Sequence, residues 1–432
     1  MLLFAENRTP RLRYITGFIG EALTGQPISL TTDIQAYEQY TGPKINYSTR
    51  ITSVNDLQVQ PAGLLFEEGI QPQQIQVDNS NGYPVFFETG GDFPFDIFAA
   101  SFYLLSRYEE YLPYTKDMYG RYPHTDSLAF QQGFLDKPVV NYWLQDLKKV
   151  LQGLFPDLTF KAQEFRFLPT YDIDEAFAYR HKGWVKNLGG LCRDLFKGNI
   201  VACKQRLQVL MGKQTDPYDS FDRMGQLHQQ YGLSPLYFFL LAARTGYVDK
   251  NTDPSGKPMQ QLVQRIAAMY PTGIHPSWQS GDDSSLLIKE KELLASLSGK
   301  PVTVSRQHYL RFTLPEGYRR LMKAGICEDH SMGYGMVNGF RASVACPFYW
   351  YDLEQETSTD LLIFPFCYMD ANSFFELQHT PAQALEEMRH YYHEVKKVNG
   401  LLITLWHNTF LGTDPRFAGW KEAYTSFLKE II

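Results

Sequence analysis

Cysteine is scarce in this chain and shows no pairing pattern. Cys192, Cys203, Cys327, Cys346 and Cys367 are odd in number and lack any CxxC spacing, so neither a disulfide framework nor a thiolate zinc site is signalled. Basic runs are missing too. The formal net charge is -6, and without clustered Lys and Arg a surface for nucleic-acid phosphates is not expected. No stretch of 18 apolar residues occurs, so no membrane span is expected. The start, MLLFAENRTP, has only five apolar residues before charge and proline intervene, which does not read as a signal peptide. These absences together predict a cytoplasmic globular protein.

What is present gives the organisation. A length of 432 residues exceeds one ordinary core and predicts two domains, 1–160 and 161–432. Hydrophobic residues at 44% and charged residues at 20% fit a folded chain. Aromatics at 15% suit core and loop packing, and also stacking on the apolar face of a sugar ring. The first domain reads as a smaller mixed α/β unit. A helix is expected over 11–23, with strand-like runs at PISL, KINYSTR, GLLFE and PVFFE between Gly, Pro and Asn turns. Further helices are expected in FDIFAASFYLLSRYEEYL and near 140–154.

Beyond residue 165 strands and helices alternate. Strands are predicted at 165–171, 235–241, 272–275, 302–306, 326–329, 361–367 and 401–406. QQLVQRIAAMY and PAQALEEMRHYYHEVKKVN read as intervening helices, the second closed by Gly400. This alternation predicts an α/β fold with a distorted seven-stranded (β/α) barrel. No GxGxxG loop favours an open doubly wound sheet instead.

Chemistry collects where these strands stop: Asp172 and Asp174, His275, Arg306 and His308, Asp329, Asp370 and His407. In a parallel barrel such ends converge on one mouth. In TYDIDE, strand alternation puts both aspartates on one side. Carboxylates so close repel unless a cation or a shared proton intervenes, which fits one metal ligand beside one general base; capping of the next turn is the plain alternative. Arg306 and His308 share a face by the same alternation, and the guanidinium fork suits orienting a carboxylate. His390 and His393 read as an exposed helix face, and His181 and His228 as helical residues away from the strand ends.

These segments carry a resemblance. TYDIDEAF resembles the first motif of the polysaccharide deacetylases of carbohydrate esterase family four, in the spelling with one residue between the aspartates. PLYFFLLA is similar to their second strand, GIHPSW to the metal-binding histidine motif and LWH to the leucine-x-histidine motif. EDHSMGY followed by GFRASVACPF resembles a further segment of the wider family, and the set keeps the family's order across 165–410. The first domain resembles a module of unknown function found ahead of such barrels in bacterial proteins. The resemblance implies a divalent metal, zinc, held by Asp174 and His275. It further implies Asp172 as general base, His407 as the acid for a departing amine, and Arg306 or Arg341 as positioners of Asp172 or substrate. The implied substrate is an N-acetylated amino sugar of a surface polysaccharide or its precursor.

The chain departs from the family at one position. The histidine motif carries a second histidine four residues after the first, and Gln279 stands there. Catalytic zinc normally has three protein ligands, so His308 is expected to be the third, with His330 as a less favoured substitute. Two rival readings follow. Gln279 is compatible with a catalytically degenerate member that binds glycan or assists polysaccharide assembly. A glycosidase with Asp172 and Asp329 as acid and base would leave His275 and His407 without roles.

Overall fold

The computed structural model describes residues 1–50, 56–79, 82–243, 245–246 and 248–432. The chain opens with four parallel strands, β1 (Leu2–Ala5), β2 (Ser29–Thr31), β3 (Lys44–Tyr47) and β4 (Leu57–Gln58), in the order β2-β1-β3-β4. The helix Pro10–Thr24 begins where the Thr9 hydroxyl accepts the Leu12 N–H and Pro10 supplies a preset φ; it ends at Gly25, whose φ of 75° closes the last turn. Its stripe of Leu12, Ile15, Ile19 and Leu23 is buried. An antiparallel ribbon follows, β5 (Val77–Asp78) with β6 (Val85–Phe86).

Two expectations for this region need correction. GLLFE forms a 3-10 turn, Leu64–Phe66, opened by Gly63 at φ 108°, because a short apolar run fits a buried turn as well as a strand. The helix from Phe95 stops at Leu105, since Arg107 takes φ 54° and redirects the chain into the 3-10 turn Tyr108–Tyr111. The helix Val139–Leu154 forms where periodicity puts it.

The second part is built on β7 (Arg166–Ile173), β8 (Leu236–Leu240), β9 (Thr272–His275), β10 (Val304–Ser305), β11 (Glu328–Asp329), β12 (Phe348–Asp352), β13 (Thr357–Ile363), β14 (Tyr368–Met369) and β15 (Leu401–His407). Their order is β12-β13-β11-β10-β9-β8-β7-β15-β14, parallel throughout except the β12–β13 hairpin. The predicted strand 361–367 holds only the end of β13, and β14 begins just beyond it. Pro365 has no N–H to give a ladder, so β13 ends before it and the chain crosses to the opposite edge to become β14. That crossing proves the curvature. Laid flat, the seven inter-strand steps from β13 to β14 would span roughly 34 Å. The link from Ile363 to Tyr368 reaches at most about 18 Å. The sheet must curl until its edges nearly meet, giving a distorted barrel of eight parallel strands rather than seven.

Register sets the mouth. Asp172 lies opposite His407 on β15, and Leu240 on β8 lies opposite His275 on β9, so these strand ends stop at one level. The helix Pro381–Lys397 ends differently from expectation: Asn399, not Gly400, takes the left-handed turn at φ 50°. Gly400 is small for another reason, since a Cβ there would meet the Ala345 carbonyl at 2.7 Å. Both parts of the molecule share one continuous apolar core, and buried polar contacts cross between them. Arg11 reaches Glu356 in the β12–β13 turn, and Arg341 reaches Glu110. Among the described residues no helix is long and apolar enough to cross a membrane.

Candidate metal centre

At the mouth, ligand atoms of Asp174, His275 and His308 all lie within 4.8 Å of one another. Asp174 follows directly on β7, and its Oδ1 stands 3.3 Å from His275 Nε2 while its Oδ2 stands 3.6 Å from His308 Nε2. His407 Nε2 approaches the same Oδ2 at 3.7 Å. Asp172, two residues earlier and deeper, faces His275 Nε2 at 3.6 Å and accepts from Arg306 Nη1 at 2.9 Å.

Each imidazole is aimed by a partner behind it. His275 Nδ1 lies 2.5 Å from the Arg306 carbonyl, which can only accept. Nδ1 therefore carries a proton, which leaves Nε2 to face the two carboxylates. His308 Nδ1 donates to Asp249 Oδ1 at 2.9 Å, and His407 Nδ1 donates to Asp370 Oδ1 at 2.6 Å. Asp370 also accepts the His407 backbone N–H at 2.6 Å, fixing ring and strand end together. Carboxylate–histidine pairs of this kind orient metal-binding rings and raise their basicity.

The electrostatics follow from these contacts. Burial opposes charge on His308, but Asp174 and Asp249 outweigh it and lift the ring to about 9. Burial likewise opposes charge on His407, and Asp370 with Asp174 lifts it to about 10. Burial would raise Asp174, yet the surrounding imidazoles hold it well below the usual carboxylate range. The acidic groups thus draw positive charge to this spot, here onto ring nitrogens.

The donor set fits a divalent metal. Two ligands at the usual zinc distances on a tetrahedral ion stand about 3.4 Å apart, close to the Asp174–His275 separation. Asp174 Oδ1 is a buried oxygen with no hydrogen-bond partner, a state that costs free energy unless a cation or donor meets it. One carboxylate and two imidazoles form a common catalytic zinc set. The site opens on one side: the Asp174 side chain is 27% exposed and His407 16%, whereas Asp172, His275 and His308 are buried.

Other residues singled out from the sequence lie elsewhere or act differently. Arg341 does not reach Asp172. Its donors are taken by both Glu110 oxygens and the Gly333 carbonyl, so it joins the two parts of the chain instead. Arg306 meets Asp172, and its Nε donates to the His330 carbonyl. His330 is stacked on Phe364 at 4.6 Å and is not in the ligand cluster. Asp329 is buried and held by Ser305 and both donors of Ser331, so it cannot serve as a substrate-facing acid. Gln279 donates to Asp249 Oδ2 at 3.3 Å, bracing the carboxylate behind His308. His308 itself lies beyond β10, in the turn His308–Leu310, so strand alternation does not deliver it; its N–H on the Pro276 carbonyl and Asp249 do. His181 sits before its helix at φ 63° rather than on it.

Asp249 is the residue sequence reading missed. It comes from the loop after β8, which has no periodicity, and only its spatial neighbour His308 marks it.

Residues 1–156 match the model of a family of unknown function, DUF7033. Among solved structures, the chain is similar to a candidate polysaccharide deacetylase from Mycobacterium smegmatis at 13% identity, covering 63% of this chain and 85% of that one, with TM-score 0.40. A polysaccharide deacetylase from Bacillus cereus matches at 13% identity over 62% of this chain and 88% of that one, with TM-score 0.31. A carbohydrate esterase family four pseudoenzyme from Bacillus anthracis matches at 9% identity over 62% of this chain and 60% of that one, with TM-score 0.33. No curated protein sequence matches the chain.

Proposed function

We propose that the protein is a zinc-dependent hydrolase that removes an N-acetyl group from an amino sugar of a surface polysaccharide or its precursor. The observation that carries this reading is the unpartnered Asp174 oxygen, 3.3 Å from a His275 nitrogen whose ring is locked in the metal-binding tautomer. Asp174, His275 and His308 would hold the ion. The chemistry it supplies when bound is Lewis acidity toward an amide carbonyl and toward water.

The chain's own residues account for the rest. Asp172, aimed by Arg306, is placed to take a proton from an attacking water. His407, charged near neutral pH and backed by Asp370, is placed to give a proton to the departing amine. Tyr309 is half-buried beside His308, with Tyr119 from the first part of the chain at 5.1 Å, and these rings suit the apolar face of a sugar. The proposed setting is the cytoplasm, as expected from the odd number and unpatterned spacing of the cysteines in the sequence.

The rival reading, a degenerate glycan-binding protein, rests on Gln279; the His308 ring offers the ligand that Gln279 does not. Elemental analysis combined with acetate release from an N-acetylated sugar tests the choice. Stoichiometric zinc with chelator-sensitive acetate release is the expected result. Glycan binding without metal or turnover would establish the rival.

A further inference from the structure

The helical hairpin that leaves the mouth after β7 is built inside out. Helices Gly183–Phe196 and Ile200–Leu210 pack on each other and bury polar groups between them. Arg206 donates to Asp194 at 2.7 Å and to Asn187 at 3.2 Å. Gly190 makes room for that guanidinium, since a Cβ there would stand 2.7 Å from it. The large apolar side chains lie outside. Of the 21 large hydrophobic residues exposed among the described residues, ten fall between 184 and 211, with Trp184 78% and Phe196 93% exposed. A helix on an ordinary protein surface turns its apolar stripe inward, and a contiguous outward stripe marks a surface that something else covers.

Charge identifies the cover. Lys186, Arg193, Lys197, Lys204 and Lys213 are exposed among these apolar residues, while Asp194, the sole acidic residue from 180 to 213, is buried against Arg206. A groove of about 490 Å³ on the hairpin is lined by Leu195, Ile200, Leu207 and Met211 between Lys204 and Lys213. In a chain of net charge -6 this is a local basic, apolar patch. Its complement is hydrocarbon beneath anionic headgroups. We propose that the hairpin 183–211 docks the protein on an anionic lipid bilayer, lying in the interface without crossing it.

The stalk determines what docking brings to the bilayer. Asp216 accepts the N–H groups of Ala178, Tyr179 and Arg180 at 2.7, 2.8 and 2.8 Å, clipping the two legs of the hairpin together. Asn408, next to His407, donates to the Glu175 and Tyr218 carbonyls at 3.1 and 2.8 Å. The hairpin is thereby tied to the rim of the mouth, and docking holds that rim beside the lipid surface. This placement is independent of the chemistry performed there.

Sedimentation of the full chain with vesicles tests the proposal. Binding is expected to phosphatidylcholine vesicles containing phosphatidylglycerol and not to phosphatidylcholine alone, with release by salt. Each basic residue near an anionic surface is worth about fivefold in partition, so Lys197→Glu with Lys204→Glu should weaken binding by at least about 25-fold. Trp184→Ser with Phe196→Ser should weaken it comparably. All four positions are exposed, and circular dichroism confirms that the variants remain folded. No binding to the anionic vesicles, or binding unchanged in both variants, overturns the proposal. So does a concentration-dependent dimer that the Trp184→Ser, Phe196→Ser variant abolishes, because a second copy would then be the cover.

Discussion

Glu110 and Asp174 are both carboxylates ringed by nitrogen-bearing side chains, and they differ in how close those partners come. Glu110 accepts from Arg341 at 2.9 and 2.6 Å and from Arg107 at 2.8 Å, which satisfies both oxygens deep inside the protein. Asp174 faces three imidazoles at 3.3, 3.6 and 3.7 Å, and one of its oxygens has no bond. The chemistry of the partners differs as well. A guanidinium cannot give up its proton, so Arg107 and Arg341 can only form ion pairs. An imidazole can shed its proton and become a ligand. At Glu110, contact distance with arginine makes a structural joint; at Asp174, stand-off distance with histidine leaves room for an ion.

The sharpest way to break this contrast is Asp174→Ala. It should abolish bound zinc and lower kcat/KM by about a thousandfold or more, equal to about 4 kcal/mol, while leaving the denaturation midpoint unchanged or higher. A large drop in stability would make Asp174 a joint like Glu110. The mirror test is Arg341→Ala, which leaves Glu109 and Glu110 to share Arg107 and one buried negative charge uncompensated. Urea denaturation should register a loss of about 3–5 kcal/mol, with metal content and kcat of the folded protein retained. Normal stability with a lost kcat would return Arg341 to the catalytic machinery.

Asp249→Asn probes the support behind a ligand. Chelator competition should show metal affinity lowered about 10–100-fold, with little change in stability. The smallest effect concerns a histidine with no carboxylate behind it. His228 is buried against Tyr171, its ring bonded to the Tyr171 hydroxyl at 2.9 Å, and burial lowers it to about 4. A depressed folded pKa stabilises the protein above the ordinary histidine value, and that contribution disappears as pH falls through about 4. The acid-side slope of stability between about pH 6.5 and 4 should therefore flatten by about one proton in His228→Asn. An unaltered slope would mean that His228 carries charge in the folded state.

The sequence made the site legible wherever a strand carried it. Asp172, Asp174, His275 and His407 stand at ends of apolar runs, and parallel topology converts that position into proximity. His308 was expected from the count of ligands that zinc needs, although it reaches the site from a turn rather than a strand. Arg341 and Asp249 were opaque for the same reason, in opposite directions. Each lies in irregular chain, where no period tells which way a side chain points; Arg341 turned to Glu110 and Asp249 to His308. In the fold, periodicity recovered the alternation but not its edges, because Pro365 interrupts an apolar run that otherwise reads as one strand.

Residues 364–367 have a consequence for the whole mouth. They tie the two outermost staves of the barrel with a cord so short that its girth is fixed by covalent length. Ligands drawn from several different staves keep their spacing only while that cord is taut. Splicing glycines into it would slacken the circumference and cost metal affinity without altering one ligand.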